Sequence, residues 1–216
     1  MQGRPLLGSS LMMIKRHAAV VAPMAGLLLG FLDFVWIKYL PSPLGDLGNS
    51  LATWAVAAFL LTYLHRWHLP AGIAAAIVCL VVAVPSYYLA AALIQNDDWS
   101  NLYNTTALMW MGFGVVAGVV FGGGGVLART SGMLRLSALA LPAAVLFAEG
   151  VVHLRRITDA NYEASEQWAY ASLVFVLGLL ITLLISRTWR DRLLALAWSV
   201  PLTAGGWLLL TLASFR

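Results

Sequence analysis

Seven apolar stretches, separated by short polar segments, run through the chain at residues 17–39, 50–63, 69–94, 105–128, 133–154, 168–185 and 193–215. A bilayer core of about 30 Å is crossed by roughly 20 residues of helix. Most of the stretches meet that length. The second is the shortest, even with its start drawn back to Leu47. In lipid every backbone polar group must be satisfied within its own segment, so the spans are read as helices. Apolar and polar residues do not alternate over about ten positions, as barrel strands would require. No soluble domain, linker or internal repeat stands out. The pattern predicts an all-α membrane protein: a bundle of seven transmembrane helices over residues 17–216, preceded by a tail at 1–16.

Composition agrees with this pattern. Of the residues, 61% are hydrophobic and 10% charged, against about 25% charged in soluble domains. The net charge of +4 comes without any Lys/Arg-rich run, which argues against a nucleic-acid partner. The single Cys79 lies in an apolar stretch, has no partner within the chain for a disulfide, and reads as a small packing residue. The first residues lack an apolar core and a cleavage site, so they read as a tail and not as a removable signal peptide.

The charges add an orientation. The N-terminus and the segments after spans two, four and six hold Arg4, Lys15, Arg16, Arg66, Arg129, Arg135, Arg187, Arg190 and Arg192. The other side holds Lys38, Arg155, Arg156 and Arg216. An excess of basic residues marks the cytoplasmic side, so the N-terminus is expected in the cytoplasm, in a multi-pass protein of the plasma membrane. Asp46, Asp97, Asp98, Asp159, Glu163 and Glu166 fall on the outer side and only Asp191 on the inner.

Small residues four apart, Gly26 with Gly30 and Gly114 with Gly118 and Gly122, read as close-packing positions between helices. Pro23, Pro85, Pro142 and Pro201 interrupt spans, where kinks open cavities. The glycine run at 122–125 is followed by no Gly-Lys-Ser/Thr and is not a phosphate loop.

Two acids stand inside spans: Asp33, in Gly30-Phe31-Leu32-Asp33-Phe34-Val35-Trp36, and Glu149, in Leu146-Phe147-Ala148-Glu149-Gly150-Val151-Val152. An intramembrane carboxylate costs roughly 3 kcal/mol on insertion scales and so usually serves a function inside the bundle. The alternative is a structural acid that bonds a neighbouring helix. Counted from the outer ends of their spans, the two fall at one depth. Trp36, Trp54, Tyr87, Tyr88, Trp110, Trp168, Tyr170 and Trp207 fall near that level. An interfacial aromatic belt accounts for Trp99, Tyr103 and Trp168 better than for Trp36, Trp54, Tyr88 and Trp110. His153, one turn after Glu149, reads as a partner of Glu149, a substrate contact or a residue facing headgroups. Ala148 and Gly150 leave the Glu149 side chain room to move.

His65 and His68 lack a third ligand, which is a poor metal site. The segment 96–101 reads as a solvated turn that could line a cavity mouth. No metal or cofactor is expected, and no serine or cysteine nucleophile with a base stands out.

A carboxyl in an apolar site holds its proton more tightly and can serve as a general acid. Aromatic faces stabilise a nearby cation by about 0.5–2 kcal/mol, and a dry pocket protects it from water. These parts suit protonation of an alkene or epoxide on a prenyl chain followed by ring closure. With seven spans and two intramembrane acids among aromatics, the chain resembles the small integral-membrane terpene cyclases of fungal meroterpenoid and bacterial indole-sesquiterpenoid pathways. The Asp33-Phe34-Val35-Trp36 and Ala148-Glu149-Gly150 stretches also resemble a group of uncharacterised small actinobacterial membrane proteins. The resemblance implies a metal-independent, protonation-initiated cyclase with Asp33 and Glu149 as its acids. Its substrate would be a lipophilic prenylated molecule, contacted by Trp36, Trp54, Tyr87, Tyr88, Trp110, His153 and Trp207. Assembly into a homo-oligomer is left open. The rival readings are a small proton-coupled transporter and a non-catalytic membrane or resistance protein.

Overall fold

A computed structural model describes the backbone of residues 6–212 and the side chains of residues 17–208. The last residues of the seventh predicted span, together with Arg4 and Arg216, lie outside the described residues. Among the described residues seven helices form: α1 (Leu6–Tyr39), α2 (Leu51–His65), α3 (Leu69–Gln95), α4, α5 (Met133–Arg156), α6 (Ala164–Ile185) and α7 (Trp189–Leu212). Helix α4 runs from Thr105–Ala117 through a π turn at Gly118–Gly122 into Gly123–Leu127. Among the described residues there is no strand.

Each predicted span coincides with a helix; α1 starts at Leu6, inside the predicted tail, and the other described ends differ by a few residues. Among the described residues five segments are long and apolar enough to cross a membrane: His17–Tyr39, Leu69–Gln95, Trp99–Leu127, Met133–Arg156 and Ala164–Ile185. Helix α2 is apolar but has 15 residues. Helix α7 opens on Arg190, Asp191 and Arg192. The chain is therefore a multi-pass membrane protein by the length and composition of its helices.

Polar residues punctuate the spans. Ser50 Oγ accepts from Thr53 N at the start of α2, Asn104 Oδ1 from Ala107 N at the start of α4, and Thr188 Oγ1 from Asp191 N at the start of α7. Each satisfies a backbone donor that the first helical turn leaves open. Helix α3 stops at Asn96, which takes a left-handed conformation at φ 58°, a geometry Asn tolerates. In the following turn Asp98 accepts from Ser100 N, which holds the exposed Asp98 carboxyl below its ordinary range.

The chain divides into two compact units: Met1–Val35 with Ala58–Val126, and Trp36–Ala57 with Leu127–Arg216. In the first, α1 and α4 both pack on α3 through glycines. A Cβ on Gly26 would strike Cys79 O, and one on Gly30 would strike Ala83 O. Gly114, Gly118 and Gly122 lie in the same way against Leu80, Ile77 and Ala76. Both sets are packing stripes, as their spacing predicted. The π turn brings its own compensation: buried Thr62 of α2 donates to Gly122 O at 2.9 Å. Gly125 leaves room for that threonine. The glycine run is thus a bed for α2.

In the second unit α5 packs against both α6 and α7. Gly150 meets the Phe175 ring and Gly178 meets the Phe147 ring. Thr203 Oγ1 donates to Ala144 O at 3.2 Å, and Gly206 faces the Ala148 methyl at 3.4 Å.

Candidate functional site

Asp33 belongs to the first unit, one turn beyond the tightest approach of α1 to α3. There Ser86 Oγ donates to Leu27 O at 2.7 Å and Gly30 sits against the backbone of Ala83 and Tyr87. With its helix held this closely, Asp33 is 8% exposed. Phe34 is buried with it, packs on Ala90 and Ala91, and meets Tyr87 edge-on with ring centroids 5.4 Å apart. Tyr87 in turn meets Tyr88 edge-on at 5.5 Å. The Asp33 carboxyl lies within electrostatic range of Tyr87. A buried acid thus stands beside a tier of three aromatic rings.

Glu149 belongs to the second unit and is half-buried. Its carboxylate is the focus of three donors. Oε2 accepts from Ser50 Oγ at 2.9 Å and from Ala52 N at 3.0 Å. Oε1 accepts from Tyr170 Oη at 2.5 Å. One oxygen therefore caps the N-terminus of α2, where an anion is favoured by the open N–H groups and the helix dipole. The other holds the first turns of α6. Ser50 is used twice, since it accepts from Thr53 N while it donates to Glu149.

His153 faces inward to α6 and not to headgroups. Its Nδ1 is 2.8 Å from Gln167 Oε1, and its ring lies 4.3 Å from that of Tyr170. An amide oxygen accepts only, so Nδ1 carries the proton and donates. The link from His153 to Glu149 expected from their spacing runs through the Tyr170 ring.

The other aromatics have separate roles. Trp36 is 43% exposed, and its Nε1 donates to Leu44 O at 2.6 Å, so its single donor secures the connection from α1 to α2. Trp207 lies under the Arg155 guanidinium at 4.2 Å. Trp110 is half-buried and edge-on to Phe113 at 5.7 Å. Trp54 is half-buried in the first turn of α2. Trp99, Tyr103 and Trp168 are 56%, 70% and 56% exposed. His65 stacks on Trp67 at 4.8 Å, and His68 Nδ1 accepts from Ala71 N.

Ala148 and Gly150 do not leave Glu149 room to move. Their missing bulk is filled by α7 and α6, and three donors fix the carboxylate. Ser50, Tyr170 and Gln167 complete this site. The sequence marked Tyr170 only as an aromatic near the start of a span. The signal for the pair was Gln167 and Tyr170 three apart on one helical face.

Residues 12–214 match one protein family, and the match covers nearly the whole chain. The chain belongs to DUF6518, a family of unknown function. No curated protein and no solved structure matches it. What this DUF6518 member offers chemically rests on its own side chains: a buried acid beside aromatic faces in one unit, and a carboxylate held by three donors in the other.

Proposed function

We propose that this DUF6518 protein is a seven-span enzyme of the plasma membrane, its N-terminus in the cytoplasm, that starts cationic ring closure on a lipophilic prenylated substrate. The observation that carries this reading is the burial of Asp33 within electrostatic range of Tyr87, whose ring meets those of Phe34 and Tyr88. The protonated Asp33 carboxyl gives its proton to an alkene carbon or an epoxide oxygen of the substrate. The π pair of the alkene forms the new C–H bond, or the epoxide C–O bond opens, and a carbocation remains. A neighbouring double bond of the substrate closes the ring onto that cation. Loss of a C–H proton to the Asp33 carboxylate, or capture of water with its extra proton passing to that carboxylate, ends the sequence and restores the acid. The aromatic faces stabilise the passing cation by about 0.5–2 kcal/mol each. Glu149, already engaged by three donors, is in this reading a positioning residue that fixes Tyr170 and the start of α2.

The test is product analysis. The protein, reconstituted in lipid nanodiscs, is incubated with farnesylated and geranylgeranylated aromatic compounds and their terminal epoxides. A cyclic product is the expected result, of unchanged mass where a C–H proton is lost and heavier by one water where water is captured. Folded protein that converts none of these compounds removes the proposal. The π turn within α4 and the prolines inside spans favour one rival, a proton-coupled carrier with broken helices. Uptake into proteoliposomes driven by a pH gradient decides for that rival.

A further inference from the structure

The two basic segments of the second unit, residues 127–137 and 186–192, contain Arg129, Arg135, Arg187, Arg190 and Arg192 but one acid, Asp191. They are brought together by a bidentate pair. Arg135 Nη1 and Nη2 donate to the two oxygens of Asp191, each at 2.8 Å. Both carboxylate oxygens are thereby engaged by Arg135, and the cluster keeps a strong positive excess.

Two buried donors in the second segment have no hydrogen-bond partner, Ser186 Oγ and Arg192 Nε. Ser186 is only 3% exposed. A buried donor left unsatisfied is costly, more so when charged, so two in one loop and first helical turn point to an acceptor that binds there. The Arg192 guanidinium is steadied over the Trp189 ring at 4.7 Å. Beside these donors stand apolar side chains turned outward: Leu184, Trp189 and Leu193 are 83%, 71% and 65% exposed.

We infer that Ser186 and Arg192 form a binding site for a phosphate group, flanked by apolar residues suited to acyl chains. A phosphate offers several acceptor oxygens to hydroxyl and guanidinium donors at once and carries the charge this cluster opposes. The same chemistry is presented by the headgroup of an anionic phospholipid and by a free phosphate compound. The inference is independent of the cyclase reading.

The full chain in neutral detergent is titrated with phosphatidylglycerol, with diacylglycerol as the lipid lacking phosphate, and with inorganic phosphate, and its unfolding temperature is followed. Stabilisation by phosphatidylglycerol alone identifies a lipid headgroup. Stabilisation by inorganic phosphate as well identifies a site open to free phosphate. Stabilisation by neither, or equally by diacylglycerol, overturns the site. Arg192→Gln and Ser186→Ala should each weaken binding about tenfold or more, the loss of a hydrogen bond to a charged group. Without ligand, Ser186→Ala should unfold no earlier than the parent, because it deletes an unpartnered hydroxyl. Parent-like binding by both variants would refute the assignment.

Discussion

The Tyr170 hydroxyl donates to Glu149 Oε1 at 2.5 Å while the opposite oxygen of the same carboxylate caps α2. One side chain of α5 thus organises two other helices. Tyr170 is 2% exposed, so its hydroxyl has no solvent to replace Glu149. Three donors leave the carboxylate rigid.

Removing the hydroxyl tests how much this bond contributes. Tyr170→Phe keeps the ring that packs on His153 and deletes one donor to Glu149. A hydrogen bond to a charged group is worth about 1.5–3 kcal/mol, and an equilibrium unfolding curve in detergent should shift by that order. Glu149→Ala should cost more, because it strands Ser50 Oγ, Ala52 N–H and Tyr170 Oη together. Glu149→Gln should be milder than alanine. Its amide oxygen can still accept from Ala52 N–H, and its NH2 can donate to a Tyr170 hydroxyl that turns to accept. An alanine variant as stable as the glutamine variant would contradict this.

The helices were legible in the sequence, because long apolar stretches admit little but helix; the 15-residue α2 was legible as the shortest of them. The glycine stripes were legible too, since four-residue spacing places them on one face. The environment of Glu149 was not. Ser50 stands 99 residues before it, and sequence gives no rule for which helix start an intramembrane acid will cap. Ala148 and Gly150 were misread because small neighbours look alike whether they free a side chain or admit another helix. The bond from the Trp36 indole N–H to Leu44 O was not legible either, because sequence does not say which carbonyl a tryptophan will find.

Glycine substitutions should separate packing from mere helix content. Gly30→Ala drives a methyl into Ala83 O, and Gly26→Ala into Cys79 O. Both neighbours are backbone, which cannot rotate away, so each change should destabilise by about 1–3 kcal/mol as overpacking does. Gly112 and Gly205 have no neighbouring atom within 4 Å of a built Cβ. Alanine there should be neutral or slightly stabilising, by up to about 1 kcal/mol from helix propensity. Thermal unfolding of the four variants should fall into these two groups.

Acid should weaken the tie between α5 and α7 in a defined window. The two Arg135 N–H groups hold the Asp191 carboxyl down, to about 2 from its ordinary 3.8. A folded-state value below the unfolded one means the stabilisation is present above about pH 4 and lost as pH falls toward 2. The stability difference between the parent and Asp191→Asn should therefore be constant near neutrality and shrink below pH 4. A difference that stays constant to pH 2 would show that the Asp191 carboxylate charge contributes nothing to the tie.

Asp33→Asn is the decisive change for the proposed chemistry. The amide has nearly the size of the carboxyl and can still accept and donate hydrogen bonds, so the packing of Phe34 against Ala90, Ala91 and Tyr87 should survive. What it cannot do is release a proton to an alkene or an epoxide. General acids contribute about 10²- to 10⁴-fold to rate, and turnover on a demonstrated substrate should fall by at least that lower figure, with unfolding temperature and substrate binding near those of the parent. Glu149→Gln should show the opposite balance: a lower unfolding temperature with activity reduced in proportion to the protein lost. Near-parent turnover in Asp33→Asn would remove Asp33 as the proton donor. A hundredfold loss in fully folded Glu149→Gln would instead make Glu149 the acid that touches the substrate.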